Sequence, residues 1–213
     1  MFAGDVRSAY ETIKQKILDG GYAPGQPLGE MALAEAYRIK RTRVRQILTK
    51  LESDSLVEKL PAKGTFVRPI TAELLRSVFE LREALEPMAT RLAARRRDEA
   101  ELAKLEAMFA RLDTANDAAG LRRKEEVGAA LHSFIRKAAR NDMISSSLEV
   151  VELQTRRVWH EGLFIEGRIN KAFEDHKRLL AYIRNQDERA AEALMREHIA
   201  EASGVYFSIL FSR

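Results

Sequence analysis

The sequence predicts a mainly α-helical chain in two parts, and three observations carry that prediction. Apolar residues recur by threes and fours through most of the 213 residues, which is the spacing of a buried helical stripe. Alternation of period two, the mark of a strand, is confined to residues 56–60 and 65–67, on either side of the turn Pro61-Ala62-Lys63-Gly64. The formal excess of +4 sits wholly in the first third: residues 1–70 hold 12 Lys and Arg against 8 Asp and Glu, whereas residues 71–213 hold 24 of each. The two parts are accordingly expected at 1–70 and 71–213.

In the first part, Val6, Ala9, Tyr10, Ile13 and Ile17 form one helical stripe over 6–18. Gly20-Gly21 ends it, because glycine adopts the left-handed conformation past a helix end without penalty. Tyr22-Ala23-Pro24-Gly25 is turn chemistry. A short helix over 30–37 follows, with Gly29 as a tolerable cap, and Arg38-Ile39-Lys40 makes a sharp turn. The next helix, 41–53, is divided. Val44, Ile47, Leu48 and Leu51 form an apolar face, while Arg41, Arg43 and Arg45, with Lys40 beside them, crowd its wet start. Helix, helix, helix and hairpin together make a winged helix-turn-helix. A cationic helix of this kind suits the major groove of DNA, which is wide enough to admit one. The plainer alternative is a solvated cationic face on a structural helix.

The second part reads as helices throughout. Leu74, Val78, Leu81, Leu85, Met88 and Leu92 mark a helix over 71–97, in which Pro87 removes one backbone hydrogen bond and is expected to kink it. Further helices are expected over 98–114, 118–139, 142–160, 169–185 and 187–211. Six antiparallel helices with short joins make a bundle.

Composition narrows the function classes. An apolar fraction of 46% supports real cores, and no apolar run approaches the ~18 residues of a membrane span. The chain has no Cys, which removes disulfides and thiolate metal sites. Its start, MFAGDVRSAYETI, lacks the charged-then-apolar layout of a secretory signal, so a cytoplasmic location is expected. The basic excess in residues 1–70 points to a polyanion as partner for that part.

Of four histidines, His132, His176 and His198 fall on three different predicted helices with apolar flanks, so that they point into the bundle. Converging neutral imidazoles can hold a divalent ion such as Zn or Ni and leave a position open. The alternative is that they hydrogen-bond within a pocket or contact an effector directly. His160, beside Trp159, reads as a helix-end residue. Arg82, Arg156 and Arg157 are candidates to clamp a carboxylate effector, since a guanidinium matches its two oxygens; the alternative for them is surface salt bridging. A metal-dependent hydrolase with a basic nucleic-acid-binding appendage is a second function class. Its weakness is the want of a His-Glu-x-x-His helix or a paired acid to serve as general base. A DNA-compacting protein is a third, disfavoured by the neutral bundle.

These residues resemble the GntR-type bacterial transcription regulators of the FadR-like branch, which carry a helical FCD ligand-sensing domain. The resemblance rests on Gly20, Pro24-Gly25, Leu28, Leu33-Ala34, Arg41-Thr42-Arg43-Val44-Arg45 and Gly64-Thr65-Phe66-Val67 in the first part. In the second it rests on Phe79-Glu80-Leu81-Arg82, Leu85-Glu86, Leu131-His132, Asn141, Asp175-His176 and Arg196-Glu197-His198. Six bundle helices place the chain nearer the VanR-like subgroup. The resemblance implies a ligand-responsive repressor and not an enzyme, homodimeric through its helical domain and bound to a pseudo-palindromic operator. It assigns DNA contact to Lys40, Arg41, Thr42, Arg43, Arg45, Lys63 and Gly64. Three departures stand out. Lys40 occupies a position where the family has Ser or Thr, and Arg43 one where Pro is common. Gly128 stands where the family has an aspartate that joins the histidines on the metal; Glu125, nearly one turn before it, could stand in only through water.

Overall fold

The computed structural model describes residues 5–112, 116–160 and 167–211, and the side chains of these apart from 158–160, 206 and 208–211. They fall into two compact units, Met1–Leu74 with Glu152–Leu163, and Leu75–Val151 with Phe164–Arg213.

The first unit begins with α1 (Val6–Leu18), whose N-terminal amides at Arg7 and Ser8 are satisfied by the Asp5 carboxylate. Gly20 at φ 72° takes the left-handed turn that ends it. Next come α2 (Glu30–Ala36) and α3 (Arg41–Ser53), joined through Arg38 at φ 51°, then β1 (Val57–Leu60) and β2 (Gly64–Val67). The strands pair antiparallel with Val57 opposite Val67 and Leu60 opposite Gly64. The hairpin does not stand alone, which two short strands could hardly do. Leu28 N donates to Thr65 O and Val67 N to Gln26 O, so residues 25–28 flank β2 on its other side. The core is formed by Ile13, Ile17, Leu33, Val44, Ile47, Leu48, Leu51, Leu56 and Val67, all at most 4% exposed. Leu153, from much later in the chain, packs on it.

The second unit is helical: α4 (Ala72–Arg96), α5 (Glu99–Ala110), α6 (Ala118–Ala138), α7 (Asp142–His160), α8 (Arg168–Arg184) and α9 (Glu188–Phe211). The first residues of α4 and nearly half of α7, from Glu152 on, are counted with the first unit. α4 runs as one helix through the buried Pro87. The 98–114 helix foreseen from sequence ends as α5 at Ala110, and residues 113–115 lie outside the described set. α8 packs against α5, α6 and α9. Phe173, Leu179, Leu131, Ile135, Ile183, Leu102 and Met195 fill the core. No helix among the described residues is long and apolar enough to cross a membrane.

Candidate nucleic-acid interface and histidine site

The start of α3 is open to solvent. Lys40, Arg41, Thr42, Arg43 and Arg45 are all exposed, while Val44, Ile47, Leu48 and Leu51 are buried on the opposite face. The amphipathic division of α3 therefore turns its cations outward. Lys40 is the N-cap residue in extended conformation, and no side chain caps the helix. The amides of Arg41 and Thr42 thus remain available to an anion, while Arg43 N already donates to Lys40 O at 2.8 Å. At the wing tip, Lys63 and Gly64 are exposed, and the chain turns there through Ala62 at φ 61° and Gly64 at φ 106°.

Sequence reading missed one residue of this surface. Glu30, at the start of α2, receives Arg45 Nε at 2.9 Å on both oxygens and Arg41 Nη2 at 3.3 Å. One carboxylate thus holds the guanidiniums of two residues a helical turn apart. The hydrogen bond from Arg45 keeps the Glu30 carboxyl below its ordinary range. The pairing separations of 11 and 15 residues left no local signal. Arg43 turns elsewhere, to Gln46 Oε1 at 2.9 Å.

In the second unit, the three histidines do converge. α6 supplies His132, α8 His176 and α9 His198, and one ligand atom of each lies within 4.8 Å of the others. The rings are 4.7 to 5.5 Å apart between centroids. His176 is 3% and His198 8% exposed. Burial, the largest cause, pushes both below the usual imidazole range and keeps them neutral, with a lone pair free for a cation. The Nε2 atoms of His176 and His198 are 3.3 Å apart. Two nitrogens sharing a tetrahedral ion at ~2.0–2.1 Å each would stand about that far apart.

The acid beside this cluster is Glu86 on α4. Its Oε2 lies 2.7 Å from His132 Nδ1 and its Oε1 accepts from Arg82 Nε at 2.5 Å. Burial works to raise the Glu86 pKa, yet Arg82 and His132 together hold it well below the carboxylate range. A carboxylate on Nδ1 fixes the tautomer and ring orientation of an imidazole and leaves Nε2 for a metal. His198 Nδ1 has Asp175 Oδ2 at 3.8 Å, too long for a full hydrogen bond but close enough for attraction. Two polar atoms of the site are buried without a partner, Arg82 Nη1 and His176 Nδ1. Arg82 itself is 3% exposed, so it is no surface ion pair.

Gly128 is where this site departs most from its resemblance. A Cβ there would lie 2.7 Å from His176 Cε1 and 2.9 Å from Nδ1. The imidazole fills the space that a side chain on α6 would need. Glu125 is not drawn to the histidines; burial raises its pKa, and the charges nearest it are Arg168, Arg122 and Glu126. Arg156 and Arg157 are not brought to the cluster either. Arg156 pairs with Asp19 at 3.1 Å, and Arg157 donates to Gln154 Oε1 and to the carbonyl of Arg68, all within the first unit. The side chain of His160 lies outside the described set.

A winged helix with an outward cationic recognition helix, joined to a helical unit with a buried histidine cage, defines a DNA-binding transcription regulator with a ligand-sensing domain. Residues 6–67 match the family model of bacterial regulatory proteins, gntR family, and residues 77–201 match that of the FCD domain. The chain belongs to the GntR family and carries an FCD domain. It is 27% identical to the HTH-type transcriptional regulator LutR of Bacillus subtilis (strain 168), over 89% of this chain and 95% of that one. It is 24% identical to the galactonate operon transcriptional repressor of Escherichia coli (strain K12), over 90% and 92%. Among solved structures it shares its fold with E. coli McbR/YncC, at TM-score 0.79 and 19% identity, over 96% of this chain and 98% of the other.

Proposed function

We propose that the chain is a repressor that works as a homodimer on a pseudo-palindromic operator and is released by a small carboxylate bound in the histidine cage. The observation that carries the effector reading is the buried, unpartnered Arg82 Nη1 at the cluster of three imidazoles. A desolvated guanidinium nitrogen without an acceptor is costly, and a carboxylate supplies the missing acceptor with matching geometry. His132, His176 and His198 suit a Zn or Ni ion by donor type and spacing. Such an ion, when bound, supplies a compact positive charge with open positions for an anion. Glu86 then orients His132, and Arg82 neutralises Glu86 while keeping one nitrogen for the ligand.

Operator contact is assigned to Arg41 and Arg45 for base edges, to Lys40, Thr42 and Arg43 for the backbone, and to Lys63 and Gly64 at the wing. Arginine pairs with guanine through two hydrogen bonds. The dimer face is assigned to α4, where Leu81 and Met88 are 39% and 42% exposed, with Leu74, Leu85 and Leu92 partly exposed in the same stripe. A two-fold dimer presents two recognition helices to two half-sites. An effector acts only by binding the DNA-competent and released arrangements unequally. That the galactonate operon relative is named a repressor supports the sign of regulation.

The hydrolase reading has no support in the family match, and the acid at the cage is engaged by Arg82 and His132 instead of standing free as a base. A thermal-shift screen of organic and sugar acids, with and without zinc or nickel, tests the effector reading. A stabilising acid that also weakens DNA binding is expected; stabilisation with unchanged DNA affinity would contradict it.

A further inference from the structure

The wing of a DNA-binding unit is short, so whatever holds its base decides where its tip lies. Here that base is held from outside residues 6–67, which match the gntR family model. Gln154 Nε2 on α7 donates to the carbonyl of Ser55 at 3.0 Å. Ser55, at φ 58°, is the left-handed residue through which α3 turns into β1. One turn further along α7, Arg157 donates to the carbonyl of Arg68, the residue that directly follows β2, and to Gln154 Oε1. The backbone closes the same base from within, where Arg68 N donates to Leu56 O at 3.0 Å. Both side chains are 3% exposed. Leu153, next to Gln154 in the chain, packs on the core of the same unit, and Arg156 pairs with Asp19 at its surface.

We infer that Gln154 and Arg157 are positioning residues for DNA binding: they fix both ends of the β1–β2 hairpin and so set where Lys63 and Gly64 meet the duplex. The inference rests on the reading of Lys63 and Gly64 as a wing contact. Its physical basis is desolvation. A carbonyl at a strand end is normally met by water; in a buried place it needs a donor, and losing that donor costs far more than a surface bond. Two half-buried carbonyls, one at each root of a hairpin of two four-residue strands, are met by one turn of one helix whose donors are themselves buried. Because Asp142–Val151 of the same helix belongs to the other unit, the wing is anchored to an element that begins in the effector domain.

The test uses the full chain, with Arg157→Met and Gln154→Met, which keep much of the volume but remove the donors. Zinc stoichiometry and the thermal melt report whether each variant folds, and either folded variant suffices. Expected in wild type is salt-dependent binding to a selected duplex. In a folded variant, affinity falls about tenfold, because the displaced tip no longer places Lys63 on a phosphate. The log–log salt slope drops by ~0.9, as for loss of one phosphate contact. Adding Lys63→Ala to the variant then costs nothing more, because the tip is already misplaced. Backbone amides of residues 57–67 also exchange at least tenfold faster. Wild-type affinity and slope in a folded variant, or a loss that simply adds to that of Lys63→Ala, overturns the inference. Failure of the wild type to bind any duplex instead overturns the DNA-binding reading itself.

Discussion

His176 occupies the space that a side chain at Gly128 would require: a Cβ there would stand 2.7 Å from its Cε1. Glycine on this face of α6 is thus a packing requirement of the histidine cage. Gly128→Ala gains intrinsic helix propensity of up to ~1 kcal/mol but must displace the imidazole. Zinc affinity is expected to fall roughly 10- to 100-fold, the range seen when a metal ligand loses its orientation. Gly128→Asp displaces the ring but returns an anionic donor, so it should bind zinc more tightly than the alanine variant. Competition against a chromophoric chelator measures both; equal affinity in Gly128→Ala and wild type contradicts the account.

Glu30 holds Arg45 and Arg41 with its two oxygens at the mouth of the recognition helix. All three side chains are substantially exposed, and exposed pairs add little to folding. Glu30→Ala should leave the melting temperature unmoved. Freed guanidiniums, however, reach phosphates of any sequence, so the ratio of specific to non-specific affinity should fall about tenfold. Titration on selected and scrambled duplexes reads this ratio, and an unchanged ratio would remove Glu30 from the interface.

Lys40 sits at the N-cap of α3 without capping it. Lys40→Ser supplies the cap, worth ~1 kcal/mol, and removes a cation from the positive end of the helix dipole. The melt should rise slightly while the salt slope of DNA binding flattens by ~0.9. An unaltered slope excludes Lys40 as a phosphate contact.

The buried imidazoles make the metal-free protein sensitive to acid. His176 and His198 titrate below the ordinary value in the folded chain, through burial first. Unfolded histidine titrates near ~6.5. Between those limits the unfolded chain binds more protons, so stability is complete above about pH 7 and declines as pH falls through 6.5. The slope approaches ~1.4 kcal/mol per pH unit for each such imidazole. Glu86 works in the same sense but only below the unfolded carboxylate value of ~4.3, outside this window, since its folded carboxylate stays ionised far into acid. Chelator-treated protein melted between pH 7.5 and 5.5 should show the decline, and His176→Asn should flatten it; parallel profiles would contradict this.

Much of the molecule was legible before its coordinates. The divided face of α3 and the turn at Lys63-Gly64 announce themselves locally. Apolar flanks around His132, His176 and His198 placed three separate helices on one core. What escaped reading depends on contacts remote in sequence. Glu86 stands four residues after Arg82, a spacing common to surface pairs, and only the packing of other helices makes it the buried acid of the cage. Glu30 finds Arg45 only after the turn at Arg38 folds α2 back onto α3. Arg156 and Arg157, read as effector clamps, spend their donors on Asp19, Gln154 and Arg68, a choice set by where the end of α7 lies.

The central claim is that Arg41 and Arg45 read base edges. Fluorescence anisotropy of the full chain on tiled duplexes from the DNA upstream of its own gene, beside the Arg41→Ala/Arg45→Ala variant, tests it most directly. One duplex should bind at least ~1,000-fold more tightly than the others, and the double variant should bind all of them alike. A parent chain indifferent to sequence, or a double variant with its selectivity intact, would contradict the claim.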